Sequence, residues 1–147
     1  MRAADMAEDF PVLTTDSEAL EAVRMLAQQR LPGILVVDAS GSPYAVLPAS
    51  QVVRFIVPRY VQDDPSLAHV LQESMADHVA ERLDGKTVGD MLPEHLTDVP
   101  PADVDDTIIE VAAVMARLRS PLIPVTKDGR LQGVITASRL LAAVLKS

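Results

Sequence analysis

The chain has 147 residues, of which 48% are apolar, and its 21 acidic residues outnumber its 13 lysines and arginines to give a formal net charge of −8. This charge argues against nucleic acid or an anionic membrane surface as a partner, because both need a basic face, and the absence of cysteine excludes disulfides, thiolate metal sites and cysteine nucleophiles. Since no signal peptide and no apolar stretch of membrane-spanning length is visible, we expect a cytoplasmic protein without direct membrane insertion.

The first part of the chain predicts a β-α-β-β-α unit. A short strand over 10–13 leads to a helix of about three turns, with apolar residues at helical spacing and Asp16 as its predicted N-cap. Two apolar runs, 34–37 and 44–47, flank a turn that contains glycine, which is typical of a hairpin of buried strands. A second helix is predicted to begin near Ala49.

The segment 61–86 predicts a helical linker rather than a flexible tether. Asp64 is suited to cap a helix, Pro65 to occupy its first position and Gly85 to end it. We therefore expect one helix or a bent pair of helices that packs across the two halves of the chain.

The remainder of the chain predicts the same β-α-β-β-α order. Asp105 is the predicted N-cap of its first helix, as Asp16 is in the first unit. The predicted elements are a strand at 96–99, a helix at 107–118, strands at 123–126 and 131–135, and a closing helix at 137–145.

The two units align residue by residue. Adding 89 to a position in the first unit gives its counterpart in the second, so that Pro32 corresponds to Pro121 and Arg30 to Arg119. Beyond the hairpin turn the offset becomes 88, which one extra residue in the first turn explains. For the two arginines we expect a salt bridge at the end of the loop, with a phosphate contact as the alternative.

This tandem order and two motifs resemble the CBS domain, and the pair resembles a Bateman module. The motifs are the run 123–131 and the stretch Gly133-Val134-Ile135-Thr136 that opens a helix, and 88–93 resembles the segment by which such domains commonly begin. The resemblance implies an α/β (α+β) fold of two repeats packed about a pseudo-two-fold axis. It places repeat 1 at 1–60, the helical linker at 61–86 and repeat 2 at 87–147.

The resemblance also implies a function. Such modules bind adenosine-containing nucleotides, here AMP, ADP or ATP, in clefts between the halves, and they usually form homodimers; no metal is expected. We expect a stand-alone regulatory protein that signals to a separate enzyme or transporter, and no enzymatic activity, because no catalytic constellation is visible. The alternative is a CBS pair that binds no ligand and serves as a dimerisation or docking scaffold.

The second repeat carries the predicted ligand cleft. A strand that ends in Gly-x-x-Thr and turns into a helix brings bare backbone, a hydroxyl and helix N–H groups close to a ligand. In the family an Asp three residues after the Thr grips the ribose, whereas this chain has Arg139 there, and Gln51 in the first repeat; the arginine is suited to a phosphate. The predicted ligand-binding residues are Thr97, Asp98, Ile123, Pro124, Gly133, Thr136, Ser138 and Arg139.

Each cleft also has a structural interpretation. In the second, Gly133 relieves a close strand crossing, Thr136 is an N-cap and Arg139 is a solvated helix residue. In the first, Ala45 narrows the approach and Pro48 removes a hydroxyl and an N–H group, so we expect this cleft to be degenerate.

Overall fold

The computed structural model describes residues 1–70, 75–96 and 99–146. The first half contains α1 (Ala3–Met6), β1 (Val12–Thr14), α2 (Ala19–Gln29), β2 (Gly33–Val37), β3 (Pro43–Pro48) and α3 (Ala49–Ile56). Then follow α4 (Arg59–Asp63), a 3₁₀ helix (Pro65–Val70) and α5 (Met75–Leu83). The second half contains α6 (Val88–Met91), β4 (Ala102–Asp103), α7 (Ile108–Leu118), β5 (Leu122–Lys127), β6 (Arg130–Thr136) and α8 (Ala137–Lys146). The predicted mixed α/β fold is confirmed.

Both halves contain a three-stranded sheet of the same topology. The central strand β2 pairs in parallel with β1 and antiparallel with β3, and β5 pairs in the same way with β4 and β6. All of β2 and the first four residues of β5 are buried, which explains why their sequences are continuous apolar runs rather than alternating ones.

The two hairpins differ by one residue, as the change of offset predicts. Val37 pairs with Pro43 across residues 38–42, whereas the corresponding pair in the second sheet, Thr126 and Leu131, encloses only 127–130.

Asp38 organises the longer turn. Its carboxylate accepts hydrogen bonds from the hydroxyl of Ser40 at 2.6 Å and from the N–H groups of Ser42 and Ser40. These bonds stabilise the ionised carboxylate and hold the pKa of Asp38 below its usual value.

Each of the two cores contains a short helix from the other half of the chain. Val88 and Met91 of α6 are buried in the core of the first sheet, and Ala3 and Met6 of α1 are buried in the core of the second. All four side chains are at most 1% exposed. Each half therefore contributes one short helix, α1 or α6, to the core of the other half, and we call these two the crossed helices.

A third apolar cluster joins the two sheets. Leu35 and Val37 of β2 pack with Leu122 of β5 and Val134 of β6. The equivalent central strands β2 and β5 of the two repeats therefore belong to one apolar cluster.

The first strand of each half lies further along the chain than predicted. The strand expected at 10–13 is β1, and the strand expected at 96–99 is β4, which pairs with β5 through Ala102 and Val125. Pro100 and Pro101 lack an N–H group and cannot donate to the ladder, and the described pairing of β4 follows them at Ala102. Residues 97 and 98 of the predicted strand lie outside the described residues.

The two N-cap predictions are also wrong by two residues, since the N-caps are Glu18 and Thr107. The helices α2 and α7 begin at Ala19 and Ile108 rather than directly after Asp16 and Asp105. The cap of α7 is Thr107, whose hydroxyl accepts the N–H of Glu110 at 3.3 Å.

The segment between the halves is helical on both sides of 71–74, which lie outside the described residues. Asp64 accepts the N–H and hydroxyl of Ser66 ahead of the 3₁₀ helix, and Gly85 follows α5 with a φ of 69°. Within the described ranges, no helix combines the length and the apolar character needed to cross a bilayer.

Candidate functional site

The Gly-x-x-Thr stretch spans the end of β6 and the start of α8. The Thr136 hydroxyl accepts the N–H of Arg139 at 3.2 Å and lies 3.2 Å from the Ser138 hydroxyl. Thr136 therefore has the geometry of an N-cap. The junction places two hydroxyls beside the first N–H groups of a helix, and Arg139 follows in the first turn of that helix.

The N-terminal segment crosses directly over this strand. Glu8 and Val134 exchange two backbone hydrogen bonds of 2.9 Å each. A Cβ atom at Gly133 would lie 2.8 Å from the carbonyl oxygen of Glu8 and 3.2 Å from the Cβ of Ala7. Because backbone comes this close, glycine is required at 133, so the strand crossing foreseen as a structural interpretation is present.

Arg139 connects α8 to the same N-terminal segment. One terminal N–H group donates to the Asp5 carbonyl at 3.3 Å, and Nε lies 3.4 Å from Glu8 Oε1. The second contact is an ion pair by distance only, since its direction does not suit a hydrogen bond, and Nε is buried without an acceptor. A guanidinium N–H buried in this way costs free energy until an acceptor reaches it.

The other predicted site residues lie in β5, in α8 or outside the described residues. Ile123 and Pro124 are buried in β5, where they pair with Ile135 and Val134 of β6. Ser138 is exposed beside Thr136. Thr97 and Asp98, also predicted to bind the ligand, lie outside the described residues.

The equivalent position in the first repeat makes a comparable contact without a cation. Gln51 lies three residues after Pro48, the cap position of α3, and its side-chain amide donates to the Met91 carbonyl of α6 at 3.2 Å. Pro48 offers no side-chain hydrogen bond to the helix. The side chains of Gln51 and Arg139 thus both tie the closing helix of a repeat to the short crossed helix that completes it.

Sequence reasoning missed Asp5 and Glu8. Residues 2–6, Arg-Ala-Ala-Asp-Met, match residues 87–91, Thr-Val-Gly-Asp-Met, at an offset of 85. This second internal match identifies α1 as the counterpart of α6. It would have placed the N-terminal segment beside the second cleft, just as α6 lies beside the first.

The start of α6 is fixed by a capping box. Thr87 N–H donates to an Asp90 carboxylate oxygen at 2.9 Å, and the Thr87 hydroxyl lies 3.1 Å from the same oxygen and accepts the Asp90 N–H at 3.3 Å. The bonds from the Thr87 N–H and hydroxyl lower the pKa of Asp90 because they favour its ionised form.

Metal ligands are not grouped in this structure. Among residues 1–70, 75–96 and 99–146, no three His, Asp or Glu side chains are arranged to hold an ion.

Comparisons with known proteins agree on one family. Residues 88–146 match the model of the CBS domain. The whole chain is similar to a CBS domain-containing protein of unknown function from Kribbella flavida, with 59% identity over 99% of both chains and a TM-score of 0.87. No curated protein matches the chain significantly.

Two more distant structures share the fold. The AMP complex of CBSX2, a CBS-pair protein from Arabidopsis thaliana, is 18% identical over 99% of this chain and 96% of its own, with a TM-score of 0.68. The CBS domain pair of MJ0100, in complex with 5′-methylthioadenosine and S-adenosyl-L-methionine, is 17% identical over 99% of this chain and 97% of its own, with a TM-score of 0.64.

Proposed function

Since the chain belongs to the CBS domain family, we propose that it is a regulatory module that binds an adenosine-containing nucleotide beside Thr136 and Arg139. Binding shifts the packing of the N-terminal segment, and the change passes to a partner protein. The module is regulatory rather than catalytic.

The class of ligand is supported by the relatives. CBSX2 has been crystallised with AMP, and the MJ0100 domain pair with two compounds that share an adenosine moiety. Adenosine is the common part of all three ligands, and a nucleotide adds a phosphate that suits an arginine.

The observation that carries the proposal is the buried Arg139 Nε that lacks an acceptor. Arg139 lies in the first turn of α8, where its backbone N–H donates to the Thr136 hydroxyl. A phosphate oxygen at this place would satisfy Nε and interact favourably with the N-terminal end of the helix dipole.

Glu8 gives the site a means of responding to the ligand. Its carboxylate occupies the anion position near Arg139, but the side chain is 57% exposed, and an exposed ion pair of this kind contributes little stability. A phosphate is therefore able to replace it. Because the Glu8 backbone pairs with Val134 and α1 is buried just before it, exchange of the anion changes the contacts of the N-terminal segment.

Titration calorimetry with AMP, ADP and ATP tests this proposal. Arg139→Gln introduces the residue of the first repeat, keeps an amide donor for the Asp5 carbonyl and removes the cation. We expect it to weaken binding by about tenfold or more, the factor that corresponds to about 1.4 kcal/mol. Glu8→Gln removes the internal competitor and is expected to strengthen binding.

Arg130→Gln is the matched control, since it removes one exposed arginine from the same repeat and is expected to bind as the wild type does. Wild-type affinity in Arg139→Gln, or no binding of any of the three nucleotides to the wild type, contradicts the proposal.

A second candidate is the ligand-free dimerisation scaffold, which is favoured by apolar side chains exposed at equivalent positions in the two repeats. Leu20 of α2 and Ile109 of α7 are 38% and 72% exposed, and Val53 of α3 and Leu141 of α8 are 54% and 62% exposed. Exposed apolar groups that recur in this way indicate a surface that is covered in an assembly, and a homodimer would cover both sets.

Light scattering at micromolar concentration tests the dimer. We expect about twice the 15.8 kDa of one chain for the wild type, and a shift toward the monomer for Ile109→Glu with Leu141→Glu, because a charged residue resists burial. A monomeric wild type rules this assembly out. A dimer that binds none of the nucleotides identifies the scaffold as the function.

A further inference from the structure

The helices on the outside of the two repeats are covered unequally. In the first repeat, α5 packs against both α2 and α3. Leu83 of α5 is 3% exposed and, together with Val79, belongs to the apolar core of that repeat. The helix α5 is therefore a cover for the pair α2 and α3, and it makes the contact with apolar residues four positions apart.

Further contacts hold α5 in this place. The Arg82 Nε–H donates to the Phe55 carbonyl of α3 at 3.0 Å, and the guanidinium carbon lies 4.4 Å from the centroid of the Phe55 ring. On the side of α2, Leu20 lines the same small cavity as Ala80 and Leu83 of α5. The cover thus reaches both helices of the pair.

The equivalent positions of the second repeat are open to solvent. Ile109 is the counterpart of Leu20 and is 72% exposed, against 38% for Leu20. Leu145 is the counterpart of Val57 and is 86% exposed, whereas Val57 is half-buried. The outer helices of the second repeat, α7 and α8, therefore expose apolar side chains at positions that are shielded in the first.

These exposed apolar residues form a stripe on each helix. Exposed residues at steps of three and four lie on one side of a helix, and in α2 the counterpart of Ala113 is a cation, Arg24. Because the equivalent helices α2 and α3 both contact α5, the stripes of α7 and α8 belong to one surface. We call it the α7–α8 face, and its residues are Ile109, Ala113, Ala116, Leu141 and Leu145.

The charge of these two helices also differs from that of the chain. Apart from Arg139, which faces Glu8, α7 and α8 carry two cations and one acid, although the net charge of the whole chain is −8. The covering helix α5 has the opposite balance, with two acids and one arginine. Complementary charge around an apolar contact favours a partner of that sign.

From this comparison we infer that the α7–α8 face docks an acidic, amphipathic helix of a partner protein, in the position that α5 takes on the first repeat. Such a helix inserts apolar residues at helical spacing between two helices. The inference rests on the proposed function, which requires a partner, and it adds the surface on which that partner binds. Because α8 carries Arg139 in its first turn and Leu145 near its end, a shift of α8 at the ligand site reaches the docked helix.

Fluorescence anisotropy with a labelled peptide of residues 75–86 tests the inference, since this peptide contains the helix that covers the first repeat. We expect it to bind the wild type with a Kd of about 0.1 mM or tighter. Ile109→Glu and Leu141→Glu are each expected to weaken binding about tenfold or more, because a charged residue resists burial. Both side chains are more than half exposed, at 72% and 62%, so neither change disturbs a core.

Val53→Glu is the matched control, because Val53 is the counterpart of Leu141 and is 54% exposed. It adds the same charge to the first repeat and is expected to retain wild-type affinity. A peptide with Val79→Glu and Leu83→Glu is expected not to bind. The inference is overturned if the unchanged peptide does not bind, if Leu141→Glu binds it as the wild type does, or if Val53→Glu loses as much affinity.

Light scattering on the same samples distinguishes a partner helix from a second copy of this chain. A wild type that binds the peptide supports the inference, whether it is a monomer or a dimer that uses another surface. A dimer that excludes the peptide, and that Ile109→Glu converts to a monomer, shows that a second copy occupies the α7–α8 face and overturns the inference.

Nucleotide titrations keep this inference apart from the function proposed above. Ile109→Glu is expected to bind AMP as the wild type does, and Arg139→Gln is expected to bind the peptide as the wild type does. If AMP binds and the peptide does not, the docking face fails and the nucleotide proposal stands. If the peptide binds and none of the nucleotides does, the docking face stands and the nucleotide proposal fails.

Discussion

The two repeats have the same topology but differ at the position three residues into the closing helix. Gln51 and Arg139 both donate to a carbonyl of the crossed short helix, at 3.2 Å to Met91 and 3.3 Å to Asp5. A carboxylate at either place would have no hydrogen to donate. The difference teaches that both side chains serve as ties between segments, and that only the arginine adds a charge that a ligand can use.

The two repeats also differ at the strand end that precedes each closing helix. Pro48 precedes α3 without a side-chain cap, whereas Thr136 caps α8 with its hydroxyl. Ala45 is buried in β3, and Gly133 admits the backbone of Glu8. At this position the second repeat admits a crossing backbone, whereas the first repeat has a buried side chain.

The crossed helices give the largest expected effect. Met6 is 0% exposed in the core of the second half and Met91 is 1% exposed in the core of the first. Either change to alanine leaves a cavity, and we expect each to lower the free energy of unfolding by about 2–5 kcal/mol. Urea denaturation measures this loss.

Met1→Ala is the control for both variants. Met1 is 60% exposed, so its truncation is expected to change stability by less than about 0.5 kcal/mol. A loss below 1 kcal/mol for Met6→Ala, on the order of a surface substitution, would mean that α1 is not part of the second core.

Exchanging the residues at 45 and 133 tests the second difference. A Cβ at 133 meets the Glu8 carbonyl at 2.8 Å, so Gly133→Ala forces a backbone shift, and we expect a cost of about 1–3 kcal/mol. Ala45→Gly only loosens a strand, at about 0.5–1 kcal/mol. Hydrogen exchange at the Glu8 amide should accelerate in Gly133→Ala alone; unchanged protection would show that the crossing tolerates a side chain.

The fold could be read from the sequence because repetition and apolar patterning specify it. The hairpins and the long helices follow from local patterns, and the extra residue in the first turn follows from the change of offset between the aligned repeats. The predicted helix starts were too early because aspartate often caps helices, but Asp16 and Asp105 lie in the turns before α2 and α7. Of the strand predicted at 96–99, residues 96 and 99 are not in a strand, and the described strand β4 follows two prolines that cannot donate to a ladder.

The site could be read only in part, because its partners come from distant sequence. Thr136 and Arg139 were identified from a local motif, but Glu8 reaches Val134 across 126 residues of chain, a pairing that no local pattern encodes. Gln51 likewise meets Met91 through the crossed helix. A search for the short match between 2–6 and 87–91 would have indicated both contacts.

Arg30 and Arg119 occupy equivalent positions in the two repeats. The expected salt bridge at the loop end is absent across the described residues; instead both residues end their helices in the left-handed region, with φ of 53° and 52°. Glycine adopts this conformation without strain, so Arg30→Gly and Arg119→Gly are each expected to raise the unfolding free energy by about 0.5–1 kcal/mol.

Arg24→Gly within α2 is the control for these gains. It is expected to destabilise the protein by about 1 kcal/mol, since the backbone there is helical. A loss of stability in Arg30→Gly would mean that its side chain contributes more than the left-handed strain costs.

The smallest expected effect is a difference between the stability contributions of Asp90 in α6 and Asp5 in α1, and it depends on pH. Asp90 accepts bonds from the N–H and hydroxyl of Thr87, whereas Asp5 accepts the Arg2 N–H from a residue without a hydroxyl. Because the pKa of Asp90 is lower in the folded state than its ordinary value of 3.8, its contribution to stability is complete above that value and is lost as the pH falls through the folded pKa. We therefore expect Asp90→Asn to lower Tm more than Asp5→Asn at pH 7, and the gap between wild type and Asp90→Asn to close in strong acid. A gap that persists there would assign the effect to the amide substitution rather than to the charge.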